Sequence, residues 1–399
     1  MGPVSDPSGQ DPVAAGFAGA EAEEPAPTPA NDTEPPEDAG LPKDRPKGVG
    51  RRIVSGFLSY GVIILVVYYL FEDLAGAATT QAAFAAITAA QVVLFAALGV
   101  VNLATNWPPI AIALPGLRIR EAAVTNTASA ALSNTVPEGG AVATGLNFAM
   151  LRSWGFPLSD ITSEVVVTGT WSQMTKYLLL ALSLVAVFLQ GWGPEWIGWA
   201  ALAVCVLYAV AVVVLAMILR SQALAERLGR LSDRVWGWLT GLVRHRQAPN
   251  LVETLPKFRA MMVALLAVCW GRLTAAMVIS QLTAAAVLGV ACRVQGLDQS
   301  TISWAVILVA WGGATLASLI IPVPGGIGVA EVVLTAILGF GLPASDQAAV
   351  LAAVILYRLA TFLVPIPIGL VSYLYWRKSQ AWRRPVDSRR VHLTPQPSS

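Results

Sequence analysis

Apolar runs too long for a water-soluble core decide what this chain can become. Runs near 53–71, 82–104, 161–190, 195–219, 258–292 and 346–376 match or exceed the ~20 residues a helix needs to cross a bilayer's hydrocarbon. Only helices and closed barrels satisfy their own backbone there, and runs this long are helical. The expected fold is therefore all-α, a polytopic membrane bundle. Composition agrees: charged residues make up 13% of the 399-residue chain, against about 25% in soluble domains.

The flanks read differently. Residues 1–50 are rich in Pro, Ala, Gly and acids, cannot bury enough apolar surface to offset chain entropy, and are expected to be a disordered tail. They lack the basic start and apolar segment of a signal peptide. Residues 51–378 form the expected membrane domain and 379–399 a short basic tail. Lys and Arg cluster in the 220–257 connection, in the C-terminal tail and from Lys43 to Arg52, while 72–81 and 191–194 carry none. The positive-inside rule then puts both termini in the cytoplasm of a multi-pass protein in the cell (inner or plasma) membrane, with Arg293 the exception. Leu224, Leu228, Leu231, Val235 and Trp238 give the 220–257 connection the spacing of an interfacial amphipathic helix.

Cys205, Cys269 and Cys292 lie in or at the end of apolar runs, with no CxxC, and His245 and His392 stand apart. No metal site, cofactor or nucleic-acid partner is expected, and the cysteines read as small apolar side chains.

Two regions, 121–151 and 302–341, are apolar but interrupted by Pro and Gly. They belong to an internal repeat with units near 121–190 and 302–376. Trp154-Gly-Phe-Pro-Leu-Ser-Asp160 resembles Phe340-Gly-Leu-Pro-Ala-Ser-Asp346 at an offset of 186, and Gly139-Gly140 falls on Gly325-Gly326 at the same offset. Three full spans separate the units, so the second is expected to be inverted relative to the first. The breaks at Pro137-Glu138-Gly139-Gly140 and Pro322-Val323-Pro324-Gly325-Gly326 free backbone groups that must be buried in protein or line a wet cavity. Two re-entrant hairpins are expected, entering from opposite faces with their tips near the midplane. The Ser-Asp pairs suit N-caps of the spans that follow.

Charges inside the spans are the candidate binding residues. Lys176, Arg272 and Arg358 lie near the centres of their runs, Glu331 follows the second break and Glu138 sits in the first. A central charge costs about 2.5–3.5 kcal/mol on insertion scales, so it faces a cavity or a partner. The set has an excess of cations, which suits an anionic phosphate headgroup held by guanidinium. Gly325-Gly326-Ile327-Gly328 offers backbone N–H groups at a helix start, with Glu331 as a built-in anion that can neutralise Arg358 or Arg272. Glu164 opens its span. Thr125, Asn126, Thr127, Ser129, Ser133, Asn134, Thr135, Thr144 and Asn147 give the first hairpin a polar lining.

Pro322-Val-Pro-Gly-Gly-Ile-Gly-Val-Ala-Glu331 resembles the hallmark of the lysylphosphatidylglycerol synthase transmembrane family, and Ala131-Leu-Ser-Asn-Thr-Val-Pro-Glu-Gly-Gly140 is similar to its other hairpin. The resemblance covers about 50–380. It implies a flippase-like module that moves phospholipid between leaflets. The cytoplasmic transferase of the synthase has no expected counterpart in the short basic tail, so the expectation is a membrane protein handling phospholipid, not an enzyme. A secondary transporter of a small anion and a non-transporting envelope assembly factor are the alternatives. The lipid, the energy source and the oligomeric state are left open.

Overall fold

The computed structural model describes residues 77–135, 139–193, 196–220, 251–320 and 326–379. The expected tails, the span near 53–71 and the amphipathic segment at 221–250 lie outside the described residues. So do Pro137, Glu138, Pro322, Pro324 and Gly325.

All regular structure among the described residues is helical. In chain order it comprises α1 (Ala77–Ala86), α2 (Ala89–Thr105), α3 (Trp107–Ala113), α4 (Ile119–Thr135), α5 (Gly139–Ser153), α6 (Leu158–Leu189) and α7 (Trp196–Arg220). There follow α8 (Leu251–Val294), α9 (Trp304–Ile320), α10 (Val329–Leu338), α11 (Ala344–Arg358), a π-helical segment (Leu359–Leu363) and α12 (Pro365–Lys378). Five stretches are long and apolar enough to span a membrane: Ala89–Ala113, Leu158–Leu189, Ile197–Arg220, Cys269–Val294 and Asp346–Lys378. The protein is a multi-pass membrane protein.

Local chemistry explains the boundaries. Thr88 and Gln91 form a reciprocal capping box at the start of α2, with Gln91 N–H donating to Thr88 Oγ1 (3.3 Å) and Thr88 N–H to Gln91 Oε1 (2.9 Å). The loop after α8 is organised by Arg293, which donates to the carbonyls of Asp298 (2.8 Å) and Ile302 (2.7 Å) and to Gln299 Oε1 (2.8 Å). Its guanidinium also lies over the Trp304 ring. The one basic residue that broke the charge pattern thus closes a helix C-terminus. In the same loop the Ser300 hydroxyl, the Thr301 backbone N–H and the Thr301 hydroxyl hold the Asp298 carboxyl down at about 2.

The helix starts follow the 186-residue offset of the sequence. α4 and α9 each precede a Pro/Gly-rich stretch of sequence, α5 and α10 come after it, and α6 and α11 start at Leu158 and Ala344, 186 residues apart. The turns before them match, with Gly155 at φ 84° and Gly341 at φ 74°, a left-handed conformation that glycine adopts without penalty. One expectation is corrected here. The N-caps are Pro157 and Pro343, both extended and without a side-chain cap bond. Ser159, Asp160 and Asp346 therefore fall within the first turn. There the acids favour the helix N-terminus through its dipole.

The two stretches expected to form the units pack across each other. α4 packs along α5 and along α12, the end of the second unit; α9 packs along α10 and along α6, the final helix of the first. At the α4–α12 crossing a Cβ on Gly369 would lie 2.2 Å from the Thr127 carbonyl oxygen. Only glycine allows this approach, and Thr127 Oγ1 then donates to Ser372 Oγ at 2.8 Å. The larger apolar core gathers α9, α11 and the second halves of α6 and α8 around Leu288, Ile307, Leu334 and Val354. A smaller one sits under the first hairpin around Met150, Leu151, Trp154 and Ile161. α7 instead turns Trp199 (74% exposed) and Leu207 (68% exposed) outward, the apolar periphery a lipid-facing helix requires.

Candidate functional site

The charges nearest the second break are closed on each other. Gly328, at φ 87°, turns the chain into α10, and its N–H donates to Glu331 Oε2 at 2.7 Å. The other carboxylate oxygen accepts from Arg358 Nε at 2.6 Å. Glu331 is fully buried and the Arg358 side chain 11% exposed. An ion pair this deep stands because its hydrogen bonds are made as well; either charge alone would be severely destabilising. Glu331 is thus the built-in anion of the helix start.

Arg358 ends α11 where the helix widens. Pro365 lacks the N–H that would bond Thr361, and Val364 N–H reaches back five residues to the Leu359 carbonyl at 3.0 Å. The widened turn carries Phe362, whose ring lies 4.8 Å from the Arg358 guanidinium carbon. Its carbonyl accepts from Asn134 Nδ2 at 3.1 Å. Asn134 is the second-last residue of α4, beside the first break. A chain of contacts, Asn134–Phe362–Arg358–Glu331, therefore joins the ends of both hairpins.

The first unit is built otherwise. Between α4, α5 and α6 lies a chamber of about 210 Å³ lined by Thr125, Asn126, Ser129, Thr144, Asn147, Glu164 and Thr168, with Ile110 from α3. Each helix contributes polar residues at helical spacing, so three polar faces converge. Glu164 is only 2% exposed. The Thr168 hydroxyl reaches its Oε1 at 3.2 Å, and Oε2 has no hydrogen-bond partner among the described residues.

A third feature faces outward. Arg272, exposed on α8, borders an open groove of about 610 Å³ formed with Val101, Ala104, Thr105, Pro108, Ala275 and Ile279. The lining is otherwise almost wholly apolar. Val101 to Pro108 lie in the C-terminal half of the Ala89–Ala113 span, so Arg272 stands toward the end of the bundle that Arg118 and Arg120 mark.

Of the five charges picked out in the sequence, the structure brings together two, Glu331 and Arg358. Lys176 is half-buried on α6. It lies on the ridge between Ser172, which accepts from Gln281 Nε2 of α8 at 3.2 Å, and Leu180, which covers Gly312 of α9. No hydrogen bond or ion pair joins Lys176 to another described residue. Arg272 borders its groove with no hydrogen bond or ion pair to another described residue, and Glu138 is outside the described residues. Of the break glycines, Gly326 (φ 65°) and Gly328 (φ 87°) hold left-handed turns, while Gly139 and Gly140 open α5. Sequence reasoning gave Glu164 no role beyond opening its span. The signal was present in Glu164 and Thr168, one turn apart, facing Thr125, Asn126 and Ser129. Phe362 was also missed; Pro365 and Pro367 mark the disturbed helix beside it.

No curated protein matches the chain. A family model does: the lysylphosphatidylglycerol synthase TM region matches residues 53–369, a range that takes in both hairpins, the Glu331–Arg358 pair, the polar chamber and the Arg272 groove. The chain belongs to the lysylphosphatidylglycerol synthase TM region family.

Proposed function

We propose that this protein binds phospholipid and moves it between leaflets, with an anionic headgroup first drawn to Arg272. The observation that carries this reading is the open groove of about 610 Å³ with one guanidinium at an apolar wall. A phospholipid has that same pairing of parts. Acyl chains lie on apolar helix faces, and guanidinium grips phosphate with two parallel hydrogen bonds. Lys176, Arg358, Glu331 and Glu138 belong to the path in this reading, with Glu331 screening Arg358 until a headgroup competes for it.

The two units act as an inverted repeat of re-entrant hairpins. The reciprocal packing of α4 on α12 and α9 on α6 supports this, as does the contact chain between the hairpin ends. Broken helices that meet inside the bilayer are where transporters hold their cargo. The protein sits in the cell membrane with cytoplasmic termini. Basic residues at the start of α4 (Arg118, Arg120) and the ends of α5 (Arg152), α7 (Arg220) and α12 (Arg377, Lys378) support that orientation, against none in the 190–193 turn. It acts as a lipid-handling module rather than an enzyme.

Reconstitution tests this. Purified protein in phosphatidylethanolamine–phosphatidylglycerol liposomes should speed the exposure of inner-leaflet fluorescent phosphatidylglycerol to a membrane-impermeant quencher. Arg272→Ala should slow it several-fold at equal protein content. Rates equal to those of empty liposomes, beside an active scramblase control, would sink the reading. Substrate-dependent uptake of a small soluble anion would replace it with the transporter alternative.

A further inference from the structure

The chamber between α4, α5 and α6 has the composition of a cation site. Among the described residues that line it, the only formal charge is the Glu164 carboxylate, with no Lys, Arg or His. Three oxygens in it are buried without a hydrogen-bond partner among the described residues: Glu164 Oε2, Asn126 Oδ1 and Asn147 Oδ1. The hydroxyl protons point elsewhere. Thr125 Oγ1 donates to Met150 Sδ (3.7 Å), Ser129 Oγ to the Ala143 carbonyl (3.3 Å) and Thr144 Oγ1 to the Gly140 carbonyl (2.8 Å). Thr168 Oγ1 is committed to Glu164, at its carbonyl (2.8 Å) and Oε1 (3.2 Å). These hydroxyls therefore turn lone pairs, not protons, toward the space. The Asn147 side chain also hydrogen-bonds the Glu164 carboxyl, but a buried carboxylate with an oxygen left unpartnered is unfavourable unless something positive joins it.

We propose that this chamber binds an alkali-metal cation of the sodium class, ligated by Glu164, the Asn126 and Asn147 side-chain carbonyls and the surrounding hydroxyls. The ligand set is hard oxygen throughout, which selects hard cations over the soft metals that favour thiolate or imidazole. One carboxylate balances one charge, so a monovalent ion leaves the site neutral while a divalent ion would not. The volume of about 210 Å³ accommodates the ion with part of its water shell, since a water's share of liquid volume is about 30 Å³. The site stands apart from the Arg272 groove and requires no lipid transport. Its cation binding can hold or fail whatever liposome assays find.

Thermal unfolding in detergent tests this, in sodium chloride and in N-methylglucamine chloride at equal ionic strength. A cation that binds only the folded state raises Tm with its concentration. Wild-type protein should gain several degrees in sodium. Glu164→Gln, isosteric and neutral, should lose that gain and match or exceed wild type in N-methylglucamine. Thr168→Val should keep the gain but need a several-fold higher sodium concentration. Bound radiolabelled sodium should follow the same order across the three proteins. A wild-type Tm indifferent to sodium, or a Glu164→Gln protein that still responds, overturns the assignment. An equal response to ethylammonium chloride also overturns it and marks an ammonium-headgroup pocket. A Tm that follows pH but not sodium shows a carboxyl that takes a proton instead.

Discussion

The regions around the two Pro/Gly stretches share a sequence pattern and solve opposite problems with it. In the second, the acid after the break is fully buried and paired at 2.6 Å with Arg358, inside the larger apolar core. In the first, the buried acid comes from the following helix. Glu164 keeps a carboxylate oxygen unpartnered among the described residues, in a chamber of hydroxyl and amide groups. A closed charge fixes structure; an open one leaves free energy for a ligand to recover. The difference teaches where to look for rigidity and where for binding in this protein.

The largest expected effect breaks the closed unit. Glu331→Ala strands Arg358 and should cost about 3–5 kcal/mol, the usual penalty for removing one partner of a buried pair. Urea or thermal unfolding in detergent micelles would show it. The double variant Glu331→Leu/Arg358→Met should recover most of the loss, because the pair's desolvation penalty goes with its attraction. Glu164→Gln should sit near or above wild type in the absence of sodium. Equal destabilisation by Glu331→Ala and Glu164→Gln would erase the contrast between the units.

The next effect compares the crossings. A Cβ on Gly369 meets the Thr127 carbonyl at 2.2 Å, which is backbone, and one on Gly312 meets Leu180 at 2.9 Å (Cδ1) and 3.0 Å (Cβ), which a small shift of α6 with a turn of the side chain relieves. Gly369→Ala should therefore cost about 1–3 kcal/mol, the range for overpacking a tight contact, and Gly312→Ala clearly less. Comparable Tm losses for both would mean that α4 and α12 part as easily as α6 and α9. Asn134→Ala, which strips the bond to the Phe362 carbonyl, should cost about 1 kcal/mol, typical of one such hydrogen bond. A larger loss would make Asn134 the main link between the hairpins rather than one of several.

Period and spacing carried much of this in the sequence. The apolar runs mark the spans because bilayer thickness sets helix length. The 186-residue offset marks matching turns, each with glycine in a left-handed conformation, before α6 and α11. The Glu331–Arg358 pairing was one of two options the residues offered, and distance along the chain does not choose between Arg358 and Arg272. Helix crossing does, and crossing depends on approaches such as that at Gly369, which pattern alone does not orient. The N-caps went to Pro157 and Pro343 because an extended proline starts each span and leaves the Ser-Asp pairs one step inside. The chamber was legible only in pieces. Its polar residues stand out in the first hairpin, yet Glu164 joins them through tertiary packing of α6.

Arg272 sharpens the comparison at its smallest scale, because it belongs to neither closed pair nor chamber. It is exposed and joined by no ion pair or hydrogen bond to another described residue, so Arg272→Ala should change stability in lipid-free detergent by within about 0.5 kcal/mol, as at an unencumbered surface position. The same variant should respond differently to lipid. Added phosphatidylglycerol stabilises the folded state by mass action if it binds there, and that increment in Tm should shrink sharply for Arg272→Ala while Arg272→Lys keeps part of it. Lys supplies the charge without the planar fork that matches phosphate. Phosphatidylcholine, whose phosphate is offset by its ammonium, should give wild type a smaller increment. An increment from phosphatidylglycerol identical in wild type and Arg272→Ala would move the lipid site away from this groove and toward Lys176. That residue lies on α6 between Ser172, which meets α8, and Leu180, which meets α9, and Lys176→Met would be the variant to lose the response.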